Sequence, residues 1–279
     1  MTDLMIAHDT VHLASETFGD RRHTPILMIM GATASMLWWP DDFCRALAAA
    51  GRHVIRYDNR DTGRSTTYAP DAPPYTIDDM AGDALAILDG HGLDRAHLVG
   101  MSLGGMIAQL AALRRPDRVA SLTLISSCAF DEDDPDLPAM DPTLLEHFGR
   151  IATLDWTDRS AVIDFHVTSF RISAGPGADF DAARARDLAA REYDRAANPR
   201  SALNHSMLGG GDAWAGRLGE IAAPTVVIHG RRDPILSLAH GRKLAGRIPG
   251  ARLVELDGGH ELNERDWPVI IGEIVALSA

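Results

Sequence analysis

A serine with a glycine two residues away on either side, Gly100-Met101-Ser102-Leu103-Gly104, is the segment of this chain best equipped for chemistry. A bare G-x-S-x-G recurs by chance, so its weight comes from context. It closes an apolar run, 97–101, and opens directly into a segment, 104–115, that is small and apolar at its start. A serine on such a strand-to-helix turn is exposed at the top of a sheet, and the glycines let strand and helix pass closely. The helix that follows offers a backbone N–H and a positive dipole end to a developing oxyanion. The competing reading, a glycine-rich turn with an incidental serine, is disfavoured by that context.

A serine hydroxyl is a weak nucleophile at neutral pH; it needs a base, and the base needs an orienting acid. On a strand–turn–helix scaffold the chain order is serine, acid, histidine, which sends the search downstream. Asp233 follows the apolar run 225–228, within His229-Gly230-Arg231-Arg232-Asp233-Pro234. His260 follows the run 252–256, within Leu256-Asp257-Gly258-Gly259-His260, where two glycines allow the loop to turn a side chain over the sheet. Among twelve histidines it alone is so placed. His229 competes as base but reads as a packed support at a strand end, and His166 and His205 read as packing or surface residues of an inserted segment. Asp257 competes as acid but would approach from the wrong side of its loop. The expected oxyanion donors are the N–H groups of Leu103, just after the serine, and of Ala32, in the small stretch Gly31-Ala32-Thr33-Ala34-Ser35. Trp38 and Met101 are expected to line the substrate pocket, whereas Met28 and Met106 read equally well as core.

The elements that must position these residues follow from periodicity. Apolar runs at 26–30, 53–57, 97–101, 119–126, 225–228 and 252–256 alternate with helical patterns, which predicts an α/β fold with a mostly parallel central sheet and helices on both faces. Thr76 and Asp79 form a capping-box pattern ahead of the stripe Ile77, Met80, Ala81, Ala84, Leu85, Leu88, which Asp89-Gly90 ends. A last helix, 267–277, accommodates Pro268 in its first turn. The alternation breaks between 128 and 219. There an inserted helical cap, 129–218, is expected to interrupt a core of 1–128 and 219–279, with helices near 142–151, 160–169 and 180–197 and a close at Gly209-Gly210-Gly211. The acidic run 131–134 at its entry reads as a solvated loop and not as a metal site.

Composition sets the outer limits. The chain has 279 residues, 46% of them apolar, enough for a sizeable core without disulfide or metal. Twenty-seven basic against thirty-nine acidic residues leave −12, which argues against nucleic acid and anionic membrane as partners. Cys44 and Cys128 are expected as buried free thiols. Met1 to Ala7 shows no basic region ahead of an apolar stretch, and the longest uncharged run, 26–39, is too short to span a bilayer. A cytoplasmic protein that needs no cofactor and takes a small-molecule ester is expected, with monomer and homodimer both open.

The stretches Gly100-Met101-Ser102-Leu103-Gly104-Gly105, Asp233 and His260 together resemble the α/β-hydrolase superfamily over nearly the whole chain. Tyr57-Asp58-Asn59-Arg60-Asp61-Thr62-Gly63-Arg64-Ser65 is similar to that family's D-x-R-G-x-G-x-S stretch, with Asp61 where glycine is usual. Met30-Gly31 stands where many members carry His-Gly, and both departures resemble the branch of aclacinomycin methyl esterase and macrolide esterases. The resemblance implies a serine carboxylic-ester hydrolase acting on a bulky apolar ester such as a polyketide methyl ester or a macrolide lactone. A prolyl-aminopeptidase-like hydrolase and a small-molecule receptor on the same fold stay open beside it.

Overall fold

The computed structural model describes residues 2–175 and 180–278; Met1, 176–179 and Ala279 of the expected ranges lie outside the described residues. Eight strands form one sheet: β1 (Thr2–His8), β2 (Val11–Phe18), β3 (Thr24–Ile29), β4 (Arg52–Tyr57), β5 (Ala96–Met101), β6 (Val119–Ile125), β7 (Thr225–Gly230) and β8 (Arg252–Leu256). Their spatial order is β1-β2-β4-β3-β5-β6-β7-β8, antiparallel at β1-β2 and β2-β4 and parallel from there on. The parallel strands read as unbroken apolar runs because both their faces are buried. Ile26, Met28, Val99, Val226 and Ile228 point into one core, beneath α1 (Asp41–Ala49) and α8 (Trp267–Leu277). Their neighbours Leu27, Ile29, Leu98 and Val227 point into the other, beneath α2 (Ile77–Gly90), α3 (Leu103–Arg114) and α7 (Leu238–Arg247).

The capping box forms as read, with Thr76 N–H on Asp79 Oδ2 at 2.7 Å. The N-terminal hairpin β1-β2 has no counterpart among the sequence expectations. Strand β2 carries Ser15 and Glu16 inward, where an apolar pattern has no place for them. Glu16 is tolerated there because Arg56 Nη2 lies 2.6 Å from its Oε2 and also meets Asp41 Oδ1 at 2.7 Å.

Between β6 and β7 the described residues hold helices and no strand: α4 (Pro142–Gly149), α5 (Arg159–Ser173), α6 (Ala182–Arg195) and a 3-10 stretch, Pro199–Met207. Asp158 and Asp181 cap α5 and α6 by accepting from first-turn N–H groups, so α5 begins a residue before its expected start and α6 two after. The acidic run 131–134 lies in a loop as expected, but it is only partly solvated: Asp133 is exposed and the other three carboxylates are ion-paired. Asp131 Oδ2 meets Arg247 Nη2 at 2.7 Å, and Glu132 Oε1 and Asp134 Oδ2 take Nζ of Lys243, the only lysine of the chain, at 2.6 and 2.7 Å. These pairs fasten the entry of the helical segment to α7. A charge run looks solvated in a sequence because its partners lie more than a hundred residues away.

Where β5 turns into α3, a Cβ on Gly104 would overlap the carbonyl of Ile29, whereas one on Gly246, in α7, would meet open space. Gly104→Ala is therefore expected to lower unfolding stability by about 3 kcal/mol. Gly246→Ala should raise it by about 0.5–1 kcal/mol. Urea titration followed by circular dichroism measures both.

Candidate active site

Ser102 is the single residue between β5 and α3, and its backbone sits at φ 52°, ψ −121°, a region that non-glycine residues rarely occupy. Hydrogen bonds hold it there: Ser102 N–H donates to Ile125 O at 2.9 Å, and Ser127 Oγ donates to Ser102 O at 2.8 Å. Leu103 is the first residue of α3, so its N–H belongs to the helix start that has no intrahelical acceptor. Ser102 opens into a cavity of about 510 Å³ that it shares with Ala32, Trp38, Met101 and His260. The expected site residues of three separate loops thus meet around one space.

Asp233 and His260 are a buried pair. His260 Nδ1 lies 2.7 Å from Asp233 Oδ2, while Asp233 Oδ1 accepts the N–H groups of Ile235 and Leu236, both at 2.9 Å. Burial by itself would push the imidazole of His260 down; the Asp233 carboxylate outweighs that and holds it above its ordinary value. Burial likewise works to raise Asp233, and the charge of His260 and their hydrogen bond bring it below the usual carboxylate range. Asp257 faces solvent on the far side of the loop, with Oδ1 3.2 Å from Arg232. His229 is a packed support: its Nε2 donates to Leu236 O at 2.7 Å and lies 3.4 Å from Asp233 Oδ2.

The loop after β3 approaches the serine through Gly31, where a Cβ would stand 3.1 Å from that of Ser102. Three residues that the sequence reading did not assign to the site hold its far side. Glu192, on α6, accepts from Ser35 Oγ at 2.6 Å and from Ser35 N–H at 3.1 Å. His205 Nδ1 accepts from Thr33 N–H at 3.0 Å, which makes it a packing residue, and Arg195 Nη1 meets Asp58 Oδ2 at 2.5 Å. One signal for Glu192 was present, since it continues the buried stripe Ala185, Ala189 at helical spacing, where a carboxylate needs a partner.

The family described as alpha/beta hydrolase fold matches residues 24–266. The chain belongs to that family. It is 38% identical to rhodomycin D methylesterase DnrP of Streptomyces peucetius, over 94% of this chain and 93% of that one. Rhodomycin D methylesterase DauP of Streptomyces sp. (strain C5) is 39% identical over the same shares. Among solved structures, the esterase RhEst1 from Rhodococcus sp. ECU1013 superposes with a TM-score of 0.80 at 20% identity, covering 100% of this chain and 98% of that one, a likeness of fold. With the family match and relatives of this kind along nearly its whole length, this alpha/beta hydrolase is an ester hydrolase.

The structure also explains the hydrolase's departure at Asp61. Its φ is 64°, the left-handed conformation that favours glycine and that aspartate tolerates better than most residues. The carboxylate is then used, with Oδ1 accepting from Tyr68 N–H at 2.6 Å and Oδ2 from Tyr75 Oη at 2.6 Å and Asn204 Nδ2 at 2.9 Å. A second cavity, of about 520 Å³, adjoins the first at Trp38, Met101, Phe170 and Glu261. Trp38 packs edge-on against Phe170 of α5 at 4.4 Å between centroids, so it lines both spaces as expected. Met28 is fully buried in the core. Burial pushes the Glu261 carboxyl up to about 7 and the His166 imidazole, also on the cavity wall, down to about 4.

The Asp233–His260 geometry carries a pH prediction. A base must be neutral, and the imidazole is held above the ordinary value of about 6.5. kcat/KM should therefore fall as pH drops through a value above about 6.5. In Asp233→Asn burial depresses the imidazole with only the charge of Glu261 left to oppose it, so the limb should move to lower pH and the rate should fall by about 10⁴-fold. Asp257→Asn should change neither, and pH–rate profiles of the three proteins check this.

Proposed function

We propose that this hydrolase cleaves a bulky apolar carboxylic ester through an acyl-enzyme on Ser102. The observation that carries the reading is the strained serine sharing a cavity with a histidine whose far nitrogen is 2.7 Å from a buried aspartate. Ser102 Oγ attacks the ester carbonyl as His260 Nε2 takes its proton. Asp233 fixes the tautomer by accepting from Nδ1–H and stabilises the imidazolium. The N–H groups of Ala32 and Leu103 receive the oxyanion. Collapse expels the alcohol, protonated by His260, and water then attacks the acyl-enzyme by the same route to release the acid.

Substrate size and polarity follow from the wall. Met30, Met140, Phe148, Trp156 and Phe165 line the cavity with Ser102, and the adjoining space beyond Trp38 gives an ester room to extend. Relatives named as rhodomycin D methylesterases favour the methyl ester of a polyketide over a macrolide lactone. None of residues 131–134 lines either cavity, so the cap site that a prolyl-aminopeptidase reading would place there has no support. We read 129–218 as the cap over a core of 1–128 and 219–279. We place the enzyme in the cytoplasm, a reading supported by Cys44 and Cys128, both buried as free thiols.

Ser102→Ala should cut turnover of a p-nitrophenyl ester by about 10⁴-fold or more with the thermal midpoint unchanged; undiminished turnover would refute the mechanism. A fluorophosphonate should label Ser102 while substrates are also released as products, since labelling without release from any ester would instead indicate a receptor. Trp38→Ala should reduce kcat/KM for bulky esters at least tenfold more than for short-chain ones. A uniform loss would assign Trp38 to packing alone.

A further inference from the structure

We infer that Glu192, carried by the cap helix α6, is a positioning residue for the loop that presents the Ala32 N–H, so that the oxyanion pocket is complete only with the cap seated. The inference rests on the assignment of Ala32 as an oxyanion donor under Proposed function.

The core holds this loop at its start and again, through Asp58, at Met36. Gly31 lies against Ser102, and Asn59 Nδ2 donates to Met30 O at 3.0 Å. Between those points Thr33, a β-branched residue, has φ 63°, a conformation that costs about 1–3 kcal/mol and persists only when the surroundings impose it. What imposes it comes from the cap. Thr33 N–H is taken by His205 Nδ1, and His205 is itself oriented by donating Nε2–H to Arg60 O at 2.8 Å. Ser35 gives both its N–H and its hydroxyl to Glu192, at 3.1 and 2.6 Å. Met36 N–H goes to Asp58 Oδ1 at 2.9 Å, and the other oxygen of Asp58 meets Arg195 of α6 at 2.5 Å. Successive donors at 33, 35 and 36 therefore end, directly or through one carboxylate, on residues of 192–205.

The choice of residue supports a positioning role. A carboxylate accepts both Ser35 donors at once, and hydrogen bonds to a charged acceptor are the strong kind. An amide could accept one and would turn a donor toward the other. An apolar side chain would pack the same place without the desolvation that a buried carboxylate incurs, and Glu192 does incur it, its pKa being pushed up to about 7 chiefly by burial. Across the cavity the cap also holds the base, because His260 N–H donates to the carbonyl of Ser173, the last residue of α5. Both loops that face the serine are thus tied to the cap.

The test uses the full chain and two probes of the acyl pocket: a trifluoromethyl ketone, which adds to Ser102 and places an oxyanion in the pocket, and the corresponding secondary alcohol, which fills the pocket without one. For Glu192→Gln and Ser35→Ala, kcat on a p-nitrophenyl ester should fall about 10- to 100-fold with KM changed less than twofold. Ketone affinity should fall by a similar factor and alcohol affinity should hold. The loss in the Glu192→Gln/Ser35→Ala double variant should fall well short of the product of the single losses, because the two residues share the hydroxyl–carboxylate bond. Equal losses of ketone and alcohol affinity, effects that multiply in the double variant, or an unchanged kcat in both singles would overturn the inference. Ser35→Ala removes one oxygen, so it keeps the test decisive should Glu192→Gln fold poorly. A wild-type chain that hydrolyses no ester overturns the esterase reading and this inference together, whereas wild-type turnover with no effect of either variant overturns this inference alone.

Discussion

Between β5 and α3 the chain reverses through one residue, and the closeness of that passage governs everything placed around it. Side chains at 100 and 104 would collide across the turn: a Cβ on Gly100 would run into the backbone of Gly104, and one on Gly104 into the end of β3. With both positions bare, α3 starts against the sheet, Ser102 is driven to positive φ, and its Oγ is the group left facing outward. The same closeness sets the loop after β3 beside the serine, because Gly104 abuts the carbonyls of Ile29 and Met30. Ser102 and the loop after β3 are neighbours because the strands carrying them are hydrogen-bonded, Ile29 opposite Gly100.

Asp233 and His260 reach this place by the parallel order of the sheet. Strands β6, β7 and β8 follow β5 in register, so the loops after β7 and β8 emerge on the same rim as the elbow. Three buried carboxylates there have different partners. Asp233 has an imidazole and two backbone N–H groups, and Asp58 has a guanidinium and two more. Glu192 has both donors of a serine, and burial pushes its carboxyl up to about 7. Low dielectric makes these pairings strong and makes an unmatched charge costly.

A core of this kind supplies chemistry, and the segment between β6 and β7 decides what reaches it. That segment contributes more than half of the residues that line the cavity at Ser102, Met140, Phe148, Trp156 and Phe165 among them, and its ion pairs with α7 and Asp58 fasten it at both the entry and the site. The cavity wall and the contacts to the loop after β3 are therefore carried by the same segment.

Six of the eight strands, the capping box of α2, the elbow and the Asp233–His260 pair were legible in the sequence. Each is written in local pattern: apolar runs for strands buried on both faces, glycines for a backbone that must pass closely, and loop residues that follow strands. The hairpin β1-β2 was not legible because its inward Glu16 is satisfied by Arg56, forty positions away. Residues 131–134 looked solvated for the same reason, their cations lying on α7. The contacts of Glu192, His205 and Arg195 beside the loop after β3 could not be read from sequence, since their partners stand more than a hundred residues upstream. Hydrophobic periodicity and turn chemistry act over a few residues and survive in one dimension. The pairing of buried charges depends on which surfaces meet, and tertiary packing alone determined that.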